Sequence, residues 1–142
     1  MDATAAVSRL LGAAADGRLE EVAARRGARL LTLFGSAARD PTRARDLDVA
    51  VLGAPTPVPG AAGSSPDLLG LVGDLVDLTG FDGVDVMDLA AASPTARHRA
   101  LTGARLLAEA EPGLFARRQM AAALEFYETA WMRAADLRRM SA

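Results

Sequence analysis

The chain has 142 residues, of which 51% are apolar and 24% charged, and its formal net charge is −2. That length suits one domain with a buried core, and the weak negative charge excludes a whole-molecule electrostatic trap for nucleic acid. Cysteine and lysine are absent and His98 is the single histidine, which excludes thiol nucleophiles, Cys-based zinc sites, Schiff-base lysines and multi-histidine cages.

The chemistry must therefore rest on carboxylates, hydroxyls and arginines, and 12 of the 18 acids are aspartate. No apolar run approaches the roughly 18 residues of a spanning helix. The start, MDATAAVSRLL, has neither a basic opening nor an apolar signal core, so a cytoplasmic location is expected.

In chain order, Thr4 to Arg26 carries apolar residues at spacings of three and four and predicts helix. Gly12 and Asp16-Gly17 are its candidate breaks, and Gly27 its stop. Arg29 to Phe34 (RLLTLF) reads as a buried strand ending at Gly35-Ser36. Ala37 to Arg39 form a short helix closed by Asp40-Pro41, and Asp46 to Leu52 (DLDVAVL) a second strand. The proline-rich stretch from Gly53 to Pro66 is either a surface excursion or a flap near a site.

Ser65-Pro66 predicts a cap and first turn for a helix over Asp67 to Thr79. Val84 to Leu89 (VDVMDL) is the third strand. Ser93-Pro94 opens a helix to about Ala110, and a last helix runs from Leu114 to Met140. The order α-β-α-β-α-β-α-α is an α/β layout with a three-stranded sheet.

Strand alternation puts Asp46 and Asp48 on one face, and Leu47, Val49 and Val51 on the other. Val84 and Val86 match the apolar face, which turns Asp85 to the polar one. Asp88 falls on the opposite side and reads as a turn residue. Like charges on one face repel unless a cation sits between them. With no sulfur and one imidazole available, hard oxygen donors favour Mg²⁺ or Mn²⁺. Three carboxylates on neighbouring strands can hold two such ions. Gly35-Ser36, between strand and helix, offers backbone N–H groups and a hydroxyl to a phosphate, and Arg39 lies one turn on.

Gly35-Ser36, Arg39, Asp46-Leu47-Asp48 and Asp85 together resemble the GS…DxD…D signature of the DNA polymerase β-type nucleotidyltransferase superfamily. The short chain is similar to its minimal branch, which includes the MntA-type antitoxins. Nine residues separate Ser36 from Asp46, Arg45 stands where a serine often precedes the pair, and Asp40 stands where glycine is frequent.

The resemblance implies an α/β (α+β) nucleotidyltransferase fold, with a small three-stranded mixed sheet flanked by helices. It implies a catalytic domain over residues 1–112, and a C-terminal helix over residues 113–142 that packs on it and meets a partner. It also implies catalysis and metal binding by Asp46, Asp48 and Asp85, and nucleotide binding by Gly35, Ser36 and Arg39. AMP would pass from Mg²⁺-bound ATP to a hydroxyl, that of a tyrosine on a HEPN-domain ribonuclease toxin, neutralising it. A transferase for a small hydroxylated molecule such as an aminoglycoside, and an antitoxin that only masks its partner, are the alternatives.

The Arg-to-His spacing of the HEPN ribonucleases is missing around His98, so this chain is not the toxin half. His98, between Arg97 and Arg99, reads as a solvent-facing helix residue. The last helix carries two apolar stripes: Met120, Leu124, Tyr127, Trp131 and Ala134, and Phe115, Ala122, Phe126 and Leu137. Core packing is the default for either. Two stripes exceed what one side of a small sheet needs, so one is left for a toxin or a second copy of the chain. The arginines around them read as a solvated or partner-facing rim, with nucleic acid a minor alternative.

Overall fold

Alternating side chains in the central strands divide the protein into two cores. The computed structural model describes residues 2–54 and 65–141. Its elements are α1 (Thr4–Ala15), α2 (Arg18–Arg25), β1 (Ala28–Phe34), α3 (Ser36–Arg39), β2 (Leu47–Gly53), α4 (Leu68–Thr79), β3 (Val84–Asp88), α5 (Pro94–Leu101), β4 (Arg105–Glu109), α6 (Leu114–Glu128) and α7 (Ala130–Ser141).

The sheet order is β3-β2-β1-β4. β1 pairs antiparallel with β2 and β4, and β2 pairs parallel with β3. Leu31, Leu33, Leu47, Val49 and Val51 point to one face and are buried against α1, α2 and α4. Each fully buried leucine there stabilises by about 1.5–3 kcal/mol. Leu30, Phe34 and Ala50 point to the other face, against α5 and α6.

Several boundaries follow local chemistry. The first helix breaks at Asp16-Gly17, where Gly17 takes φ +86°, and runs through Gly12. Gly27, at φ +74°, stops α2. Ser93 caps α5, its Oγ accepting from the Ala96 N–H at 3.2 Å, with Pro94 at the first helical position.

Other expectations need correction. Asp67, not Ser65, caps α4, its carboxylate accepting from the Gly70 N–H at 2.9 Å. The sheet has four strands, not three. The helix opened by Ser93 ends at Leu101, Gly103 turns the chain at φ +71°, and Arg105 to Glu109 pair with β1 as β4. That segment shows no clean alternation, because Leu107 and Ala108 are both buried beside a register shift.

The last helix is two. At the junction the Thr129 hydroxyl donates to the Glu125 carbonyl at 2.8 Å, and Arg133 donates to the Phe126 carbonyl at 2.6 Å. The Glu125 carbonyl keeps its backbone bond from the Thr129 N–H at 3.0 Å, whereas the Phe126 carbonyl is taken by Arg133 where the helix would run on. His98 is half-buried rather than solvent-facing, stacked on Phe126 with centroids 4.1 Å apart and planes 10° apart. No helix among the described residues is long and apolar enough to cross a membrane. Most of the proline-rich stretch, residues 55–64, lies outside the described residues.

Candidate functional site

The site lies on the α5 face of the sheet, where β2 and β3 begin. Asp48 is the second residue of β2, and its neighbours across the ladders are Phe34 in β1 and Asp85 in β3. Asp85 therefore shares the face of Asp48, while Val84 and Val86 pack into the opposite core as the alternation requires. Asp46 sits one residue before β2 and is exposed, as is Asp85, whereas Asp48 is half-buried.

The electrostatics agree with the placement. The Asp48 carboxyl is held above the ordinary carboxylate range, first by burial and then by the charges of Asp85 and Asp46. The Arg99 charge works in the opposite direction. Like charges that favour the protonated form of Asp48 put Asp85 and Asp46 close to its carboxyl. As the side chains stand, no group of three or more acids or imidazoles among the described residues is gathered closely enough to hold a metal ion.

Two glycines fit backbone against these acids. Gly35, at φ +72° and ψ −156°, joins β1 to α3. A Cβ on it would collide with the Asp48 carboxylate oxygen and lie 3.4 Å from Asp48 Cγ. The glycine thus lets the chain turn directly against Asp48. Gly83 does the same for Asp46: a Cβ there would stand 2.8 Å from the Arg45 carbonyl oxygen and 3.2 Å from Asp46 Oδ1. The Gly83 carbonyl also accepts from the Leu47 N–H at 2.7 Å, fixing the start of β2.

Ser36 and Arg39 are exposed at the first and last positions of α3. The neighbouring Asp40 is engaged by Thr42 and Arg43. Arg39 forms no ion pair with any described residue. Asp88 turns away as expected, its carboxylate accepting from the Ala90 N–H at 3.0 Å.

The structure thus brings Asp46, Asp48, Asp85 and Gly35 together, with Ser36 next in chain. Two neighbours were missed by sequence reasoning. Gly83 reads in sequence only as a turn residue. Arg99 carries no motif, and only the pairing of α5 with the sheet brings it near Asp48.

No protein-family model and no curated protein sequence matches the chain. Solved structures do match. A chain in the crystal structure of a mutant of the toxin–antitoxin MntA-HpeT has a TM-score of 0.66 at 19% identity, covering 89% of this chain and 98% of that chain. A chain in the crystal structure of the toxin–antitoxin with AMP-PNP has a TM-score of 0.66 at 21% identity, again over 89% and 98%. A chain in the re-refined structure of the tri-AMPylated Shewanella oneidensis HEPN toxin in complex with MNT antitoxin has a TM-score of 0.62 at 20% identity, over 89% and 96%. These likenesses establish the fold, which is the one the GS and DxD elements imply, enlarged by β4.

Proposed function

We propose that the chain is a nucleotidyltransferase that moves AMP from ATP to a hydroxyl of a cognate HEPN toxin, acting as its antitoxin. The observation that carries this reading is the alignment of Asp48 with Asp85 across β2 and β3, with Asp46 beside them and Gly35 packed against Asp48. Its support from similar structures is that they are toxin–antitoxin complexes, one with AMP-PNP and one with a tri-AMPylated toxin.

The donor set fits a hard divalent cation such as Mg²⁺ or Mn²⁺, with Asp46, Asp48 and Asp85 as the residues that would hold it. Bound there, the ion would screen the triphosphate and draw charge from the α-phosphate. Gly35 and Ser36 give their N–H groups, and Ser36 its hydroxyl, to the phosphates, and Arg39 adds a cation. The Asp85 carboxylate accepts the proton of the acceptor hydroxyl as its oxygen attacks the α-phosphorus. The bond from that phosphorus to the bridging oxygen breaks, and pyrophosphate leaves.

Residues 1–112 carry this chemistry, and residues 113–142 meet the partner. Of the stripe Phe115, Ala122, Phe126 and Leu137, the first three pack inward, whereas Leu137, beyond the break, is 66% exposed. Met120, Leu124, Tyr127 and Trp131 are 56–71% exposed. No residue of α7 is buried. An apolar row of this size is what a partner interface leaves uncovered in the free chain. Trp131→Arg should abolish co-purification with the toxin while leaving the melting temperature unchanged.

The test of the reading is intact-mass analysis of the chain with its candidate toxin, Mg²⁺ and ATP. The reading expects one or more AMP units on the toxin, lost with Asp46→Ala. A stable complex with no modification would overturn catalysis in favour of masking. Neither modification nor complex would favour a small-molecule acceptor.

A further inference from the structure

We infer that Arg99, on α5, is a nucleotide-binding residue whose guanidinium takes the substrate's triphosphate from across the carboxylate face. This rests on the nucleotidyl-transfer reading and deepens it.

Helix α5 is fixed in rotation. Ala100 is fully buried, and its carbonyl accepts from the Thr32 hydroxyl at 3.2 Å. Leu101 is buried beside it. Arg97 is turned towards α6, its Nε 3.2 Å from Glu125 Oε1 and its Nη2 donating to the Ala92 carbonyl. Arg99 is turned the other way. Its Cζ lies 5.9 Å from the centre of the Phe34 ring, within cation–π range. Phe34 is the ladder neighbour of Asp48, and Asp48 that of Asp85. The guanidinium therefore stands beside the carboxylates, and its charge is felt at Asp48.

Standing beside is not pairing. Arg99 forms no ion pair with any described residue, although arginines elsewhere close on nearby acids at 2.6–3.7 Å. Its side chain is exposed. Its five N–H donors are thus placed over a negative face without being spent on it. A nucleoside triphosphate adds several negative charges to a face already holding three carboxylates. A guanidinium beside it offsets that repulsion and can grip two phosphate oxygens at once. The same contact would follow the pyrophosphate as it leaves.

The test is calorimetric titration of AMP-PNP and of inorganic pyrophosphate, each with Mg²⁺, into wild type, Arg99→Ala and Arg99→Lys. Arg99→Ala should weaken both ligands by about tenfold, the size expected for a lost charge-assisted hydrogen bond. Arg99→Lys should recover part of it, and the circular dichroism of both variants should match wild type, because the side chain is exposed. Wild-type affinity in Arg99→Ala overturns the inference alone. So does unchanged affinity with slower transfer, which would assign Arg99 to the acceptor. Failure of wild type to bind either ligand overturns the nucleotidyl-transfer reading, and Arg99 with it.

Discussion

Two clusters of aspartates on this protein meet opposite fates. On the α2–α4 side, Asp74 receives Arg26 through two hydrogen bonds of 2.7 and 3.0 Å and Arg25 through a third of 3.1 Å. Arg26 also reaches Asp67 at 2.9 Å. Hydrogen bonding to Arg26 is the main reason that the Asp74 carboxyl is held down to about 2. On the α5 side, Asp48 faces Asp46 and Asp85, and burial together with those like charges raises its carboxyl. A chain with 16 arginines has cations enough to pair both clusters. The first is neutralised within the fold, and the second keeps its oxygens available for something that binds.

The largest effect that sharpens this contrast is on activity. Asp48→Ala should remove AMP transfer almost completely, while Asp74→Ala should leave it intact; a rate assay on the purified complex checks both. Gly35→Ala acts on the second cluster through the backbone. It forces a Cβ into the Asp48 carboxylate at φ +72° and ψ −156°, a backbone region kept almost wholly for glycine, where strain costs about 1–3 kcal/mol. Both transfer and melting temperature should fall, and circular dichroism with the same assay reads the two.

A smaller effect concerns stability alone. Exposed ion pairs contribute little, but Asp74 is gripped twice by one guanidinium, so Asp74→Ala should lower the melting temperature by several degrees. Its pH dependence has a definite sign. A depressed carboxyl stabilises above the ordinary carboxylate range and loses that contribution as pH falls towards about 2. Asp48 runs the other way. Its raised carboxyl means that the folded state holds the proton more tightly than the unfolded chain does. Its ionised form penalises the fold at neutral pH, and the penalty fades as pH falls.

The candidate site was legible because strand alternation has a period of two. Leu47, Val49 and Val51 had to be buried, and that alone placed Asp46 and Asp48 together, with Asp85 following from Val84 and Val86. Gly35 was legible as a turn, though its contact with Asp48 was not. Long-range pairing was illegible. Arg105 to Glu109 lack alternation, and only the free edge of β1 makes them a strand. Arg99 comes to the site by the same route, through α5 packing on β1. The break after α6 was hidden because Arg133 acts by taking the Phe126 carbonyl, which leaves no mark on apolar spacing. The outward stripe on α6 was visible as surplus, and the structure shows which of the two it is.

The most direct test of the contrast is the melting temperature of wild type and Asp48→Asn at neutral pH, first in chelator and then with Mg²⁺ and ATP. The account predicts that Asp48→Asn melts higher than wild type in chelator, because one like charge is gone. It predicts that Mg²⁺ and ATP raise wild type by mass action and move the variant little. A variant that melts lower in chelator, or that responds to Mg²⁺ and ATP as wild type does, would contradict a site built around unpaired carboxylates.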